Sequence, residues 1–312
     1  MRVDRYLAEV VGLATRSQIR ARIATLEIDG AAGKLAARLH SGQQVHATIG
    51  PPDQMTAAPQ DIAVDVIASG DDFVVVNKPH GLVVHPAPGH PDATLVNALV
   101  GLQGALRQRF GNDDLRPGIV HRLDKDTSGV MIVALDVANH ARLVSQFAQR
   151  QVGKRYVALV RGVPAFRRGL IDAALGRDPH SRIRFAVHGQ LLHRPAPDVE
   201  QLDRAAMQSE APRAAKTAQT WYRVLWSRAG YSLLILSPIT GRTHQLRAHL
   251  SACGCPIVGD RLYPRRGTPG ERLMLHALEL AIEPSAGIGR RVFRASPPQD
   301  FISMLAKVRA QV

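Results

Sequence analysis

Ile119-Val-His-Arg-Leu-Asp-Lys-Asp-Thr-Ser-Gly129 runs directly into the apolar stretch Val130-Met-Ile-Val-Ala-Leu135. The second part reads as a buried strand, being a short continuous apolar run rich in β-branched residues. The first part reads as the loop that enters it. That loop sets a carboxylate, Asp124, at the mouth of a buried element, where loops carry function. Charges crowd it: His121, Arg122, Lys125 and Asp126. Thr127 and Ser128 offer hydroxyls for local hydrogen bonds, and Gly129 permits close backbone approach. A lone aspartate here would be a turn residue with a surface ion pair. Only the whole pattern lifts Asp124 above that reading.

Working outward, Ile62–Ile67 alternates like a half-buried strand and Phe73-Val-Val-Val76 looks fully buried. Asp136 is the N-cap of a helix whose apolar positions are Val137, Val144, Phe147 and Ala148. Arg155–Val160, Thr220–Leu225 and Tyr231–Ser237 read as further strands. Together they predict a large α/β domain over residues 61–312. Residues 189–215, with three prolines and little periodicity, read as a loop insertion. Residues 51–60 read as a linker. Residues 1–50 form a separate basic module. Val3–Val11 has helical periodicity, and a second short helix over 16–23 has Thr15 as its N-cap. Leu26–Gly30 and Gln44–Ile49 are short strands.

Near the C-terminus, Thr243 reads as the N-cap of a helix with Leu246, Leu250 and Cys253 on one face and Gly254 as its stop. Arg242 and Arg247 then lie at or near the helix N-terminus. Cations are disfavoured there unless an anion compensates. Two anions are on offer, a protein carboxylate and a phosphate of a bound nucleic acid. Tyr156 shares a strand face with Lys154 and Ala158.

The chain has 312 residues, with 40 Lys and Arg against 26 Asp and Glu, a formal net charge of +14. Such an excess favours a phosphate backbone as partner, although an arginine-rich solvated surface would give the same number. No apolar run reaches the roughly 18 residues of a membrane span, and the N-terminus has no signal-peptide core, so a cytoplasmic location is expected. The two cysteines, Cys253 and Cys255, form no zinc set and read as buried small hydrophobes. The histidines lack metal-ligand spacing. His121 and His244 read as loop anchors.

The His-Arg-Leu-Asp-x-x-Thr-Ser-Gly pattern of residues 121–129 resembles the signature of the RluA-type pseudouridine synthases. Supporting blocks stand in family order: Asn77–Pro86, Lys154–Ala158, Gly241–Leu250 with Pro256–Tyr263, and Leu275–Ala277. The resemblance covers nearly all of residues 61–312. Residues 1–50 resemble an S4-type RNA-binding module. The implied architecture is a mixed, mostly antiparallel central sheet flanked by helices, an α/β (α+β) fold, with a small N-terminal α+β module.

The resemblance also implies roles. Asp124 is the nucleophile and Arg247 its ion-pair partner. Tyr156 is a stacking platform for the target base, and Arg122 enters the space that the base leaves. Leu246 and Thr127 support the site. Arg16, Arg20, Arg22, Lys78 and Arg242 are candidate RNA contacts. The reaction breaks N1–C1′ and joins C5 to C1′, so it needs no metal, nucleotide or redox cofactor. The uridine must first leave its stack, at a cost of a few kcal/mol. A cation beside a carboxylate keeps it charged, whereas burial alone would neutralise it. Three roles are open to Asp124: addition at C1′, addition at C6, or removal of a ribose proton.

The implied partner is large-subunit ribosomal RNA, with transfer RNA second, and the expected state is a monomer. A catalytically inactive RNA-binding or ribosome-assembly factor is the non-enzymatic rival. A glycoside hydrolase would want an aromatic-rich groove, and aromatics are only 4%. A kinase would want a phosphate loop and an Asp-Phe-Gly motif, which are missing.

Overall fold

The buried run after Gly129 is a central strand of the molecule. The computed structural model describes residues 1–14, 16–50, 57–111, 115–181, 183–201, 211–212, 214–264, 272–283 and 290–310. It divides into two compact units, Met1–Met55 and Thr56–Val312.

In the first unit, α1 (Val3–Glu9) and α2 (Arg16–Arg22) accompany β1 (Ile23–Ile28), β2 (Ala31–Ala32) and β3 (Val45–Ile49). The strands form an antiparallel sheet in the order β2-β1-β3. Val3, Leu7 and Ile19 are its buried core. The sequence carries the first helix on to Val11. It ends at Glu9 instead, and Val10 and Val11 are exposed beyond it. The expected Thr15 cap lies outside the described residues, as do residues 51–56 of the linker.

The second unit opens with β4 (Asp65–Ser69), β5 (Phe73–Lys78), α3 (Leu95–Leu102) and α4 (Leu106–Phe110). Next come β6 (Ser128–Ala134), α5 (Val137–Ala148), β7 (Gly153–Arg161), β8 (Arg168–Arg177) and β9 (Phe185–Pro195). The chain continues through β10 (Ala215–Lys216), β11 (Gln219–Arg228), β12 (Tyr231–Pro238) and α6 (Gln245–Ala252). It closes with β13 (Leu275–Ile282), β14 (Arg291–Arg294) and α7 (Gln299–Ala310).

The described strands form one sheet in the order β10-β8-β11-β12-β7-β13-β6-β5-β4, with β9 beside β8 and β14 beside β13. Every pairing in it is antiparallel except β6 with β13. This is the mixed, mostly antiparallel sheet that the family resemblance implies. All seven residues of β6 are buried, which is why its apolar run is continuous rather than alternating. At the β6–β13 crossover Gly129 has φ 122°, and a Cβ there would collide with the backbone of Ala277. Only glycine permits that approach.

The apolar side chains gather in two main clusters. One centres on β5 and β6 under α3, and the other on β7 and β12 with α6 and α7.

Several local readings need correction. β4 starts at Asp65, three residues after the predicted strand. In α5 the Asp136 cap is present, accepting from the Asn139 N–H at 2.8 Å, but the buried positions are Leu143 and Gln146. Val137 and Val144 are exposed. Gln146 is drawn inward because its amide exchanges two hydrogen bonds with the Glu283 backbone, at 2.7 and 3.0 Å. The predicted insertion is not loop throughout, since residues up to Pro195 extend β9 along β8. Residues 202–210 and 213 of it lie outside the described residues.

Candidate active site

The loop between Ile119 and Ser128 is held from several sides. His121 accepts the Ile132 N–H at 3.1 Å and stacks on Phe147 with ring centroids 4.6 Å apart. Burial, with Lys154 adding to it, pushes the imidazole down to about 3, so His121 is a neutral anchor. The Thr127 N–H closes a turn on the Asp124 carbonyl at 3.1 Å. Ser128 Oγ lies 2.9 Å from His276 Nδ1 and accepts from the Arg272 guanidinium at 2.8 Å. Leu123 is buried, so the adjacent Asp124 is turned towards the cleft, its side chain 20% exposed.

Lys78 completes the clamp and corrects the sequence reading. Its side chain is fully buried, and its ammonium donates to the carbonyls of Pro79, Leu82 and Lys125 at 2.8, 2.9 and 3.0 Å. A group so enclosed cannot meet a phosphate. It ties the segment after β5 to the Asp124 loop. Burial pulls the ammonium down to about 7, against the pull of Asp124 and Asp126.

The opposite wall comes from α6. Its N-cap is His244 in the left-handed region at φ 55°, not Thr243. Gln245, the first helical residue, braces this entry. Its carbonyl oxygen accepts from Thr240 Oγ1 at 2.7 Å and the Arg242 N–H at 3.0 Å, and its amide donates to the Gln219 carbonyl at 2.8 Å. The Gln245 side chain thus ties the start of the helix to the segments before it, and no side chain among the described residues caps the helix itself. The predicted apolar face of Leu246 and Leu250 is buried, but so is the rest of the helix from Gln245 to Leu250. Gly254 follows it with φ 74°.

Arg247 is 4% exposed and meets two carboxylates. Asp260 takes Nε and Nη2 in a fork at 2.7 and 2.8 Å, and Asp124 accepts from Nη1 at 3.1 Å. The Tyr263 ring lies 5.4 Å from the guanidinium carbon. Burial opposes the charge on Arg247, but Asp260 and then Asp124 outweigh it and raise its pKa. Asp260 is itself fixed by the N–H groups of Leu262 and Tyr263 at 2.9 and 3.0 Å. The cation near a helix N-terminus therefore has the compensation it requires.

These walls enclose a cleft of about 430 Å³ lined by Arg122, Asp124, Tyr156, His244, Leu246 and Arg247, among others. Thr127, Lys154 and Arg242 also line it. Burial, then the Asp124 charge, pushes the Tyr156 phenol up, so Tyr156 stays neutral. His244 Nε2 is 3.9 Å from Asp124, and its Nδ1 is 3.3 Å from the Tyr263 hydroxyl. Burial lowers its pKa although Asp124 pulls the other way. The cleft thus offers one carboxylate held beside a fixed cation, a neutral phenol ring, an apolar wall and further cations at the mouth. That is a site for a polar ring on a phosphate chain.

Of the residues singled out in the sequence, the structure brings together Asp124, Arg122, Thr127, Tyr156, Leu246, Arg247 and Arg242. Arg16 and Arg20 belong to the N-terminal unit, where with Arg2 they bind the buried Asp4 at 2.9–3.1 Å. Arg22 donates to the Gly50 carbonyl at 2.7 Å. Sequence reasoning missed Asp260 and Tyr263, although both stand in the Pro256–Tyr263 block. It also gave His244 no place beside Asp124. Among the described residues no His, Cys, Asp or Glu group could hold a metal, and no helix is long and apolar enough to cross a membrane. Cys255 is buried and Cys253 partly so, both as free thiols.

The sequence model of a protein family described as RNA pseudouridylate synthase matches residues 72–252. An uncharacterised RNA pseudouridine synthase of Bacillus subtilis is 33% identical over 99% of this chain and 94% of its own length. The ribosomal large subunit pseudouridine synthase D of Xylella fastidiosa is 34% identical over 99% of this chain and 89% of its own length. Among solved structures, human RNA pseudouridylate synthase domain containing 4 superimposes with a TM-score of 0.58 at 25% identity. That match covers 78% of this chain and 93% of the human one.

Proposed function

From the premise that this chain belongs to the RNA pseudouridylate synthase family and is an enzyme that isomerises uridine in RNA, we propose that its substrate is large-subunit ribosomal RNA and its nucleophile Asp124. The observation that carries the assignment of Asp124 is its pairing with Arg247. Asp260 occupies two of the guanidinium nitrogens, and the third holds the Asp124 carboxylate at 3.1 Å inside the cleft. A carboxylate fixed beside a buried cation is kept charged and oriented, as a nucleophile requires.

The target uridine leaves its stack and enters the cleft. Its ring lies against Tyr156, with Leu246 as apolar wall, while Arg122 fills the space left in the RNA. The N1–C1′ bond breaks with its electron pair going to the base, and C5 then bonds to C1′. The C5 proton is lost and N1 gains one. Atoms and electrons balance within the nucleotide, so the step calls for no external group. Thr127 closes the turn that aims Asp124. Arg242, at the cleft, takes a backbone phosphate, as do Arg16, Arg20 and Arg22 of the S4-like N-terminal unit. The enzyme acts as a monomer in the cytoplasm.

The substrate assignment rests on relatives named for the large ribosomal subunit and on the net charge of +14. It is tested by tritium release from [5-³H]uridine-labelled large-subunit ribosomal RNA and, separately, transfer RNA. Release from the ribosomal RNA is expected. Release from transfer RNA alone moves the substrate to that class, and release from neither overturns the reading.

A further inference from the structure

Beside the catalytic cleft lies a second groove of about 560 Å³. Lys154, Pro238 and Ile239 line both, so the two are continuous along the first residues of β7 and the end of β12. The groove collects cations from two strands and a connecting segment: Lys154 and Arg155 of β7, Arg294 of β14, and Arg290 just before it. One carboxylate, Glu279 of β13, stands among them, 3.6 Å from Arg155 and 2.9 Å from Arg294. Glu279 is only 14% exposed, while the Arg294 side chain is 70% exposed. Arg290 lies 3.7 Å from Glu283 and is 46% exposed. Cations thus outnumber carboxylates and present their charge outward. Ser237 stands in the same wall, 7% exposed, and its hydroxyl has no hydrogen-bond partner among the described residues. A buried unsatisfied donor costs free energy until a ligand meets it. The mouth of the catalytic cleft continues the series with Arg122, Arg150 and Arg242.

We propose that this groove holds the sugar–phosphate backbone of a single-stranded RNA segment flanking the target uridine, with Arg290 and Arg294 as its principal phosphate contacts. The inference rests on the reading of the neighbouring cleft as the uridine site. A nucleotide turned out of its stack leaves its flanking backbone unpaired, and a cationic groove continuous with the base pocket is where that backbone can run. Arg155 and Arg294 share Glu279, which orders them but withholds part of their charge. Glu279 is therefore a brake on affinity as well as a scaffold.

The test measures binding of the full-length protein to the RNA it modifies, over a range of salt concentrations. Removing two cations that neutralise single-stranded phosphates flattens the log–log salt slope by about 1.4 and lowers affinity by about tenfold. Arg290→Ala combined with Arg294→Ala should show both. Glu279→Gln, which keeps a hydrogen-bond acceptor for Arg294 but removes the charge, should tighten binding severalfold. Circular dichroism melts show that each variant folds. Wild-type affinity and slope in the double variant, or weaker binding by Glu279→Gln, overturns the groove. That failure is distinct from failure of the uridine-site reading, in which the wild-type protein itself releases no tritium.

Discussion

In the N-terminal unit one buried carboxylate, Asp4, is met by three arginines. In the catalytic unit one buried guanidinium, Arg247, is met by two carboxylates. The chemistry is the same and the stoichiometry inverted. Around Asp4 the surplus is cationic. Although burial favours its neutral form, Arg2, Arg16 and Arg20 hold the carboxyl well below the usual range, and they keep partly exposed faces. Around Arg247 the surplus is anionic. Asp260 is wholly enclosed, and the second carboxylate, Asp124, faces the cleft. On the proposed reading, the first arrangement fixes arginines for an outside anion and the second fixes a carboxylate for an outside electrophile.

Removing the central charge of the catalytic cluster should have the larger effect. Arg247→Met strands Asp260 in a buried site, and breaking such a pair costs about 3–5 kcal/mol. The expected outcome is a large fall in melting temperature with no detectable tritium release. Arg247→Lys restores a charge but not the planar fork, so stability should partly return while turnover stays low. A Met variant as stable as the parent would show that the cluster is not a buried network.

Asp260→Asn sharpens the same point. It keeps the shape and loosens the guanidinium, so it should slow turnover by about tenfold to a hundredfold, corresponding to one or two charge-assisted hydrogen bonds. RNA affinity should change little. A loss of affinity with normal turnover would turn Arg247 into a backbone anchor and collapse the contrast with Asp4.

In the N-terminal cluster the effect should fall on binding. Arg16→Gln with Arg20→Gln is expected to weaken RNA affinity several-fold and to flatten the log–log salt slope by up to about 2. An unmoved slope would make this unit a structural cap.

How far these clusters could be read in the sequence differs for physical reasons. The pairing of Asp124 with Arg247 was implied by the resemblance, because both residues sit in its dense, spaced motifs. Asp260 stands in the Pro256–Tyr263 block, yet its pairing depends on a turn through Gly259, where a Cβ would collide with the Arg272 carbonyl, and residue identity does not announce that. Lys78 misled for the opposite reason. A lysine at the end of a strand is ordinarily exposed, and the convergence of three carbonyls on it is a tertiary event. β4, β5, β6, β7, β11 and β12 were legible from their apolar patterns, whereas the mostly antiparallel topology that joins them was implied only by the resemblance. The face of α5 was not legible, because a glutamine amide, not a hydrophobe, docks that helix.

A smaller effect is expected from pH. Burial holds His121 down to about 3 and His249 to about 4, against about 6.5 for a free imidazole. The folded state binds fewer protons, so the stability these groups contribute is full above pH 6.5 and is lost as pH falls towards 4 and 3. Melting temperature should decline across that window, and less steeply in His121→Gln, whose amide can still accept the Ile132 N–H. A pH-independent melt between 7 and 4.5 would show that these imidazoles are not buried in the neutral form.

The most direct test of Asp124 compares chemistry and binding in one variant. Asp124→Asn preserves size and leaves Arg247 its fork to Asp260, so the fold and RNA affinity should stay within a few-fold of the parent. Tritium release from [5-³H]uridine RNA under single-turnover conditions should fall by at least about 10³-fold, because the proposed nucleophile is gone. Near-normal release by a folded Asp124→Asn protein would contradict the assignment.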